Sequence, residues 1–422
     1  MGLILCSKTW AATQNNPANW GLDRIDQRTH TLNNSYTTDF DGSDVIIYIL
    51  DTPLDKYNSE YVNRLVKTIP GDFLPSCSQG NSAPGATHAK SDAKSHGTHI
   101  TAIAAGSTYG VAKNANIIGI QALRDCGDDK IGTIDGLIYA LDKIIEEQNV
   151  TGNSLAIANI SLSSNRVYPE VSAKIQEIID THNVVFVISA GNGNGDACNY
   201  SPQSMGGPNS AAIVVGAMNI KGHRWDEGGT DGSNTGSCVD IYAPGVDITS
   251  AKFGGGSETN KGTSMAAPFV AGRAALYIQE YNEDNLLTPA NVKEAITGYS
   301  ATHKVYYAPG ELGNKLLYIN DEYDTTSTTL EFLQCSNNRA DYLFEWDANW
   351  GTYNEYYTVE KQLEFGSWQY YSMPQAKAWG FNVAGSEKFR LRISYQANGV
   401  TSPVYTTSWK TAPSCSGGFN PF

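Results

Sequence analysis

Apolar positions along this chain fall into two alternating arrangements. Short unbroken apolar runs ("DVIIYIL" at 44–50, "LAIANISL" from Leu155, "NVVFVISAG" from Asn183 and "AAIVVGAM" from Ala211) read as strands buried on both faces of a parallel sheet. Between them, "GTIDGLIYALDKIIEEQ" and "EVSAKIQEIIDTH" repeat their apolar residues with the helical period. Strand alternating with helix predicts an α/β fold, a doubly wound and mainly parallel sheet flanked by helices. "LTPANVKEAITGY" predicts a further helix, capped by Thr288 with Pro289 in its first turn. The stretch "KGTSMAAPFVAGRAALYIQE", 261–280, reads as a mostly apolar helix with Pro268 tolerated near its start. Taken alone, Ser264 has its simplest role there as a helix cap.

Beyond about residue 322 the helical period disappears and Trp, Tyr, Thr and Ser become dense. "EKFRLRISYQANGVTSPVYTTSW" alternates Phe389, Leu391, Ile393 and Tyr395 against Lys388, Arg390, Arg392 and Ser394, the period of a half-buried antiparallel strand. The expected organisation is an N-terminal extension over 1–15, an α/β domain over 16–321, and a small all-β sandwich over 322–422 joined through "INDEYDTTSTT".

Length and composition agree with this picture. A chain of 422 residues has room for more than one core, and 41% hydrophobic against 17% charged residues excludes general disorder. The net charge of −14 argues against nucleic acid and anionic membranes as partners. No run reaches transmembrane length, and "GLIL" near the start is too short and lacks the basic flank of an export signal, so any such signal is expected to have been removed. Seven cysteines without a CxxC pair fit dispersed disulfides in an oxidising compartment better than a zinc or redox site. The odd count leaves one thiol over, for which Cys6 is the candidate.

Four polar residues then stand out by position. Asp51 ends a predicted central strand, at the carboxyl edge where open α/β sheets hold their ligands. His96 heads a small-residue helical run with His99 one turn on; "HGTH" lacks the spacing of a zinc HExxH helix, so His96 reads as a general base and His99 as a packed neighbour. Asn192, in a glycine-rich loop after a third strand, could donate to a developing oxyanion. Ser264 sits at a helix start, where aligned peptide dipoles favour negative charge.

"HGTH", "SAGN" and "GTSMAAP" together resemble the subtilisin-like serine proteases, and "NWGLDRIDQR", "TYGVAKNANIIGIQAL", "DACNYSP" and "GSCVDIYAPG" resemble the secreted proteinase K and aqualysin-like branch. The resemblance runs from about Asn16 to Asn320. It implies a secreted, monomeric serine endopeptidase with Asp51, His96 and Ser264 as triad and Asn192 as oxyanion donor. It also implies that Ser161, Leu162 and Ser163, with Ser189, Ala190 and Gly191, line the substrate site, pairing with an extended peptide backbone. A disulfide between Cys198 and Cys238 is implied, while Cys77 with Cys126 and Cys335 with Cys415 are candidate pairs. Structural calcium is implied at Asp23, Asp26 and Gln27 and, separately, at Asp240, although the loop around Pro208 looks longer than usual there.

Three departures bear on activity. Pro53 stands where the family has glycine, Ala102 replaces a glycine of the histidine helix, and "SLSS" replaces Ser-Leu-Gly-Gly in the substrate strand. Ser163 is therefore expected to narrow the primary specificity pocket and weaken any preference for bulky aromatic residues. The rival reading is an impaired subtilisin-like fold that binds peptides without cutting them. The small domain resembles a fibronectin type III or immunoglobulin-like sandwich with Trp346 and Tyr395 as core aromatics, and its remaining aromatics could bind an extracellular polymer or protein.

Overall fold

The computed structural model describes residues 12–27, 31–71, 87–90, 95–125, 129–282, 286–298, 300–302, 305 and 315–319, plus the strands between 328 and 411; for 87–90, 125, 129–131, 301–302 and everything beyond 328, backbone only. The chain divides into two compact units, Met1–Asn320 and Asp321–Phe422.

In the first unit the apolar runs become one sheet. Its spatial order is Ala301–Thr302, Lys315–Leu316, Ile241–Pro244, Ile213–Met218, Val184–Ser189, Ala156–Ile160, Ile46–Asp51, Asn116–Gln121 and Leu65–Ile69. All neighbours are parallel except the terminal pair Ala301–Thr302 and Lys315–Leu316. Alternate residues of each strand face opposite layers, as the two-residue repeat requires. Ile47 and Ile49 pack under the helices His96–Ala105 and Thr263–Tyr281. Tyr48 and Leu50 face the helices Ile134–Thr151 and Pro169–His182 on the other side. The result is the doubly wound, mainly parallel α/β fold that the alternation of strand and helix predicts.

Local signals account for the boundaries. Thr133 caps Ile134–Thr151 by accepting from Gly136 N–H at 3.0 Å, and Gly152 ends it in the left-handed region at φ 76°. Thr288 and Asn291 cap Pro289–Gly298 reciprocally, each side chain accepting from the other's backbone N–H at 3.3 and 3.1 Å. Two expectations change. Ala12–Asn15 pairs antiparallel with Ser35–Thr38, so the end of the supposed extension belongs to this unit; an exposed polar edge strand leaves no apolar pattern to read. Pro268 lies inside Thr263–Tyr281, beyond its first turn, with Gly262 and not Ser264 at the cap position.

The second unit is built from antiparallel strands in a three-stranded and a five-stranded sheet. Trp346 and Tyr395 end or lie within the strands Arg339–Trp346 and Lys388–Ala397, and their side chains fall outside the described residues. Cys6, Cys77, Cys126 and Cys415 also fall outside them, and with them the two further candidate disulfides.

Cys198 and Cys238 are bonded, with a sequence separation of 40. The crosslink holds the loop after Ser189 to the approach of the strand Ile241–Pro244. Replacing both cysteines with serine is expected to lower the unfolding free energy by about 2–4 kcal/mol, mostly through the unfolded chain. Urea denaturation checks this, and a loss below about 0.5 kcal/mol would show that the bridge does not restrain the unfolded chain.

Candidate active site

Every strand of the parallel sheet delivers its carboxyl end to one edge, and the residues singled out by sequence gather there. Asp51 closes the strand Ile46–Asp51 and is fully buried. His96 opens the helix His96–Ala105 and is 6% exposed. Its Nδ1 lies 2.7 Å from Asp51 Oδ1. An ionised carboxylate can only accept, so Nδ1 carries the proton and Nε2 is left as the basic nitrogen.

The approach is enforced by backbone packing. Gly97 N–H donates to Thr52 Oγ1 at 2.9 Å, and a Cβ on Gly97 would stand 2.4 Å from Thr52 O. Only glycine lets the helix start come this close. Thr52 N–H donates in turn to Asp51 Oδ1 at 2.7 Å, so Pro53 does not prevent Thr52 from bracing the carboxylate. Asp51 Oδ2 takes no hydrogen bond among the described residues, and Pro53 has no N–H to offer one. His99 is buried, with Nε2 at 3.2 Å from Ile248 O, which is the packed neighbour expected.

Ser264 is the second residue of Thr263–Tyr281, a helix packed directly on the histidine helix. Pro268 lacks the N–H that would bond the carbonyl four residues back, which is that of Ser264. That carbonyl accepts from Ser161 Oγ–H at 3.2 Å instead, while Ser264 Oγ lies 3.4 Å from Ser161 O. Asn159 Nδ2 donates to Ser161 Oγ at 3.0 Å, tying the pair to the sheet. The serine thus addresses the neighbouring strand end and not its own helix, which removes the capping role.

Asn192 is exposed at the edge, and its orientation is fixed from behind. Its Oδ1 accepts from Thr263 N–H at 2.9 Å and from Thr263 Oγ1–H at 2.8 Å, leaving Nδ2 as the outward group. The same Thr263 hydroxyl accepts from Gly191 N–H at 3.0 Å. Gly262, at φ 139°, supplies the turn that admits Thr263. Asn234 braces the loop further, accepting from Gly193 and Gly195 N–H at 3.1 and 2.9 Å and donating to Ala190 O at 2.9 Å. Neither Thr263 nor Asn234 was legible in advance, because their partners lie 39 to 72 residues away.

The two segments expected to line a substrate cleft face each other. Ser163 Oγ would be 3.7 Å from a Cβ placed on Gly191. Gln203, fully buried, bridges them: its Nε2 donates to Leu162 O at 2.9 Å and Ser189 O at 2.7 Å. Its Oε1 lies 3.2 Å from Ser163 Oγ. Sequence reading missed Gln203, which follows the cis Ser201–Pro202 bond and carries no motif.

The residues proposed for calcium lie elsewhere. Asp23 accepts from the N–H groups of Asn33 and Asn34 at 3.1 and 2.7 Å, and Asp26 from Thr37 N–H at 2.8 Å. Burial, reinforced by the charge of Asp23, pushes the Asp26 carboxyl up to about 7. Gln27 turns Nε2 toward Thr31 O at 2.6 Å, leaving Oε1 as its ligand-type atom. Two adjacent buried carboxylates and an amide oxygen are a hard donor set that a divalent cation would relieve. Among the described residues no cluster of three or more His, Cys, Asp or Glu side chains could hold a metal ion, so such a site would need backbone or amide oxygens too.

A subtilisin-like sheet with these side chains on its carboxyl edge defines the class. The chain belongs to the subtilase family, peptidase S8, whose family model matches residues 42–315. It is 39% identical over 307 residues to alkaline serine exoprotease A of Vibrio alginolyticus, covering 73% of this chain and 51% of that one. It is 36% identical over 304 residues to the extracellular serine proteinase of Thermus sp. strain Rt41A, covering 72% and 66%. Among solved structures it matches a cold adapted subtilisin-like serine proteinase with a TM-score of 0.59 at 36% identity, over 72% of this chain and 100% of that chain. The chain spans about half to two thirds of the length of these two curated relatives.

Thr263→Val removes a hydroxyl that serves Asn192 and Gly191 together. We expect a loss of about 1–3 kcal/mol in thermal or chemical unfolding, with Thr263→Ser, which keeps the hydroxyl, losing less than half as much. A Thr263→Val protein as stable as its parent would show that the hydroxyl does not brace this loop.

Proposed function

We propose that this protein is a secreted serine endopeptidase in which Asp51, His96 and Ser264 form the triad and Asn192 the oxyanion donor. The observation that carries the reading is the 2.7 Å bond between His96 Nδ1 and Asp51 Oδ1, which fixes the tautomer a general base needs. In this mechanism His96 Nε2 takes the proton of Ser264 Oγ as that oxygen attacks the peptide carbonyl. The carbonyl oxygen becomes an oxyanion, held by Asn192 Nδ2 and by the Ser264 N–H, which has no partner within the first turn of its helix. The imidazolium returns the proton to the departing amine, and water then hydrolyses the acyl-enzyme by the reverse proton path. The extended substrate would lie along Ser161–Ser163, with Ser189–Gly191 as the opposite wall.

Calcium, placed by this reading at Asp23, Asp26 and Gln27, would stabilise the fold and take no part in the reaction. Secretion is supported by the name of the Thermus relative, and among the described residues no helix is long and apolar enough to cross a membrane. The second unit is proposed as a fibronectin type III or immunoglobulin-like sandwich binding an extracellular polymer or protein; its two antiparallel sheets support the architecture alone.

Ser264→Ala is expected to abolish both casein hydrolysis and labelling by a fluorophosphonate, with the protein still folded. A folded parent chain that takes no label would favour the peptide-binding module. Chelating calcium should lower thermal stability without altering the label's target.

Primary specificity follows from Gln203 and Ser163, which together place a fully buried amide and a half-buried hydroxyl between the pocket walls. The double variant Gln203→Ala, Ser163→Gly should raise the ratio of kcat/KM for phenylalanyl over alanyl peptide substrates by about tenfold. A parent enzyme already strongly preferring phenylalanine would overturn this account of the pocket.

A further inference from the structure

At the opposite edge of the sheet, where the strands Val184–Ser189, Ile213–Met218 and Ile241–Pro244 begin, lies a cavity of about 1200 Å³ lined in part by Asp180, Asp240, Lys293, Glu294 and Lys315. One group in it has an unusual setting. Lys293, on the helix Pro289–Gly298, extends its ammonium to Asp240 Oδ1 at 2.8 Å, Gly207 O at 2.8 Å and Ala212 O at 2.6 Å. Its side chain is 10% exposed and that of Asp240 7%. Asp240 is otherwise held by backbone: Oδ1 accepts from Gly207 N–H at 3.1 Å and Oδ2 from Val214 N–H at 2.9 Å.

A carboxylate oxygen and two main-chain carbonyls converging on one buried point form a cation site by chemistry, and the cation there is covalently attached. An ammonium has three N–H donors and meets three oxygens, so no donor is left over. Its single charge neutralises the single carboxylate. Calcium, which takes six to eight oxygens at about 2.3–2.6 Å, could enter only in place of the ammonium and with water completing its shell.

We propose that Lys293 is a built-in counter-cation that takes the place of a bound divalent ion at Asp240, so that this part of the fold is held together without calcium. The tethered ammonium locks the helix Pro289–Gly298 to the loop 206–212 and to the entry of the strand Ile241–Pro244. This assignment corrects the calcium role expected for Asp240, and it does not rest on the catalytic reading. Burial pushes Lys293 down and Asp240 up, with their mutual attraction opposing both. Lys315 adds a further repulsion on Lys293.

The test counts calcium bound per chain by equilibrium dialysis and follows thermal unfolding, using the full chain with Ser264→Ala to stop self-cleavage. In that background Asp240→Asn should leave the number of bound calcium ions unchanged. Lys293→Ala, which empties the space but keeps the oxygens, should unfold at least about 5 °C lower in chelator. It should bind one more calcium ion than the parent at millimolar concentration and recover most of the lost stability. Lys293→Met, which fills the space with an uncharged chain, should lose stability and recover none with calcium. Loss of one bound calcium on Asp240→Asn would overturn the proposal, and this arm survives even if Lys293→Ala fails to fold. A Lys293→Ala protein that folds but binds no more calcium than its parent would overturn it as well.

Discussion

The hydrogen bond from His96 Nδ1 to Asp51 Oδ1 is the contact around which the first unit is arranged, and it depends on backbones coming unusually close. The donor and acceptor are 45 residues apart and both are buried, so neither can choose water instead. In such surroundings the charge of Asp51 acts on the imidazole with little screening. A flexible chain would lose that advantage. Here the imidazole sits on the first residue of a helix whose second residue, Gly97, rests against the Thr52 carbonyl. The bond is thus set by packing of the two backbones.

Much of this was legible because the strongest sequence signals are local. Unbroken apolar strands, capped helices and the motifs around His96, Asn192 and Ser264 each occupy a few adjacent residues, and the fold puts them where parallel topology says strand ends must meet. What escaped reading is the scaffolding between those pieces. Thr263 orients Asn192 across 71 residues, Gln203 joins two walls, and Ser161 takes the carbonyl that Pro268 frees. A threonine, a glutamine and a proline are unremarkable in sequence. Their function exists only once long-range contacts have formed. The Pro268 case is instructive, since the sequence treated it as tolerated near the helix start when its missing N–H leaves the Ser264 carbonyl free to join its helix to the strand end at Ser161.

The departures from the family pattern can be weighed in the same way. Pro53 withholds an N–H near Asp51 but leaves Thr52 bonded to both the carboxylate and the histidine helix. Its effect is therefore confined to Oδ2. Ser163 is different, because its hydroxyl does not stand alone: it meets Gln203, whose amide is already committed to both walls. Two polar residues holding one another are harder to displace than one.

Buried carboxylates at three places in this unit sit in three different electrostatic settings. Asp51 faces an imidazole, whose Nδ1 holds one of its oxygens at 2.7 Å. Asp240 faces an ammonium fixed to the chain, surrounded by carbonyls that complete its three donors, which suits an edge that only has to stay shut. Asp23 and Asp26 repel one another, and burial together with that repulsion holds the Asp26 carboxyl near neutrality. A tethered lysine brings one charge, and at Asp240 it meets one carboxylate, so the pair closes without a second ion and without a donor left over.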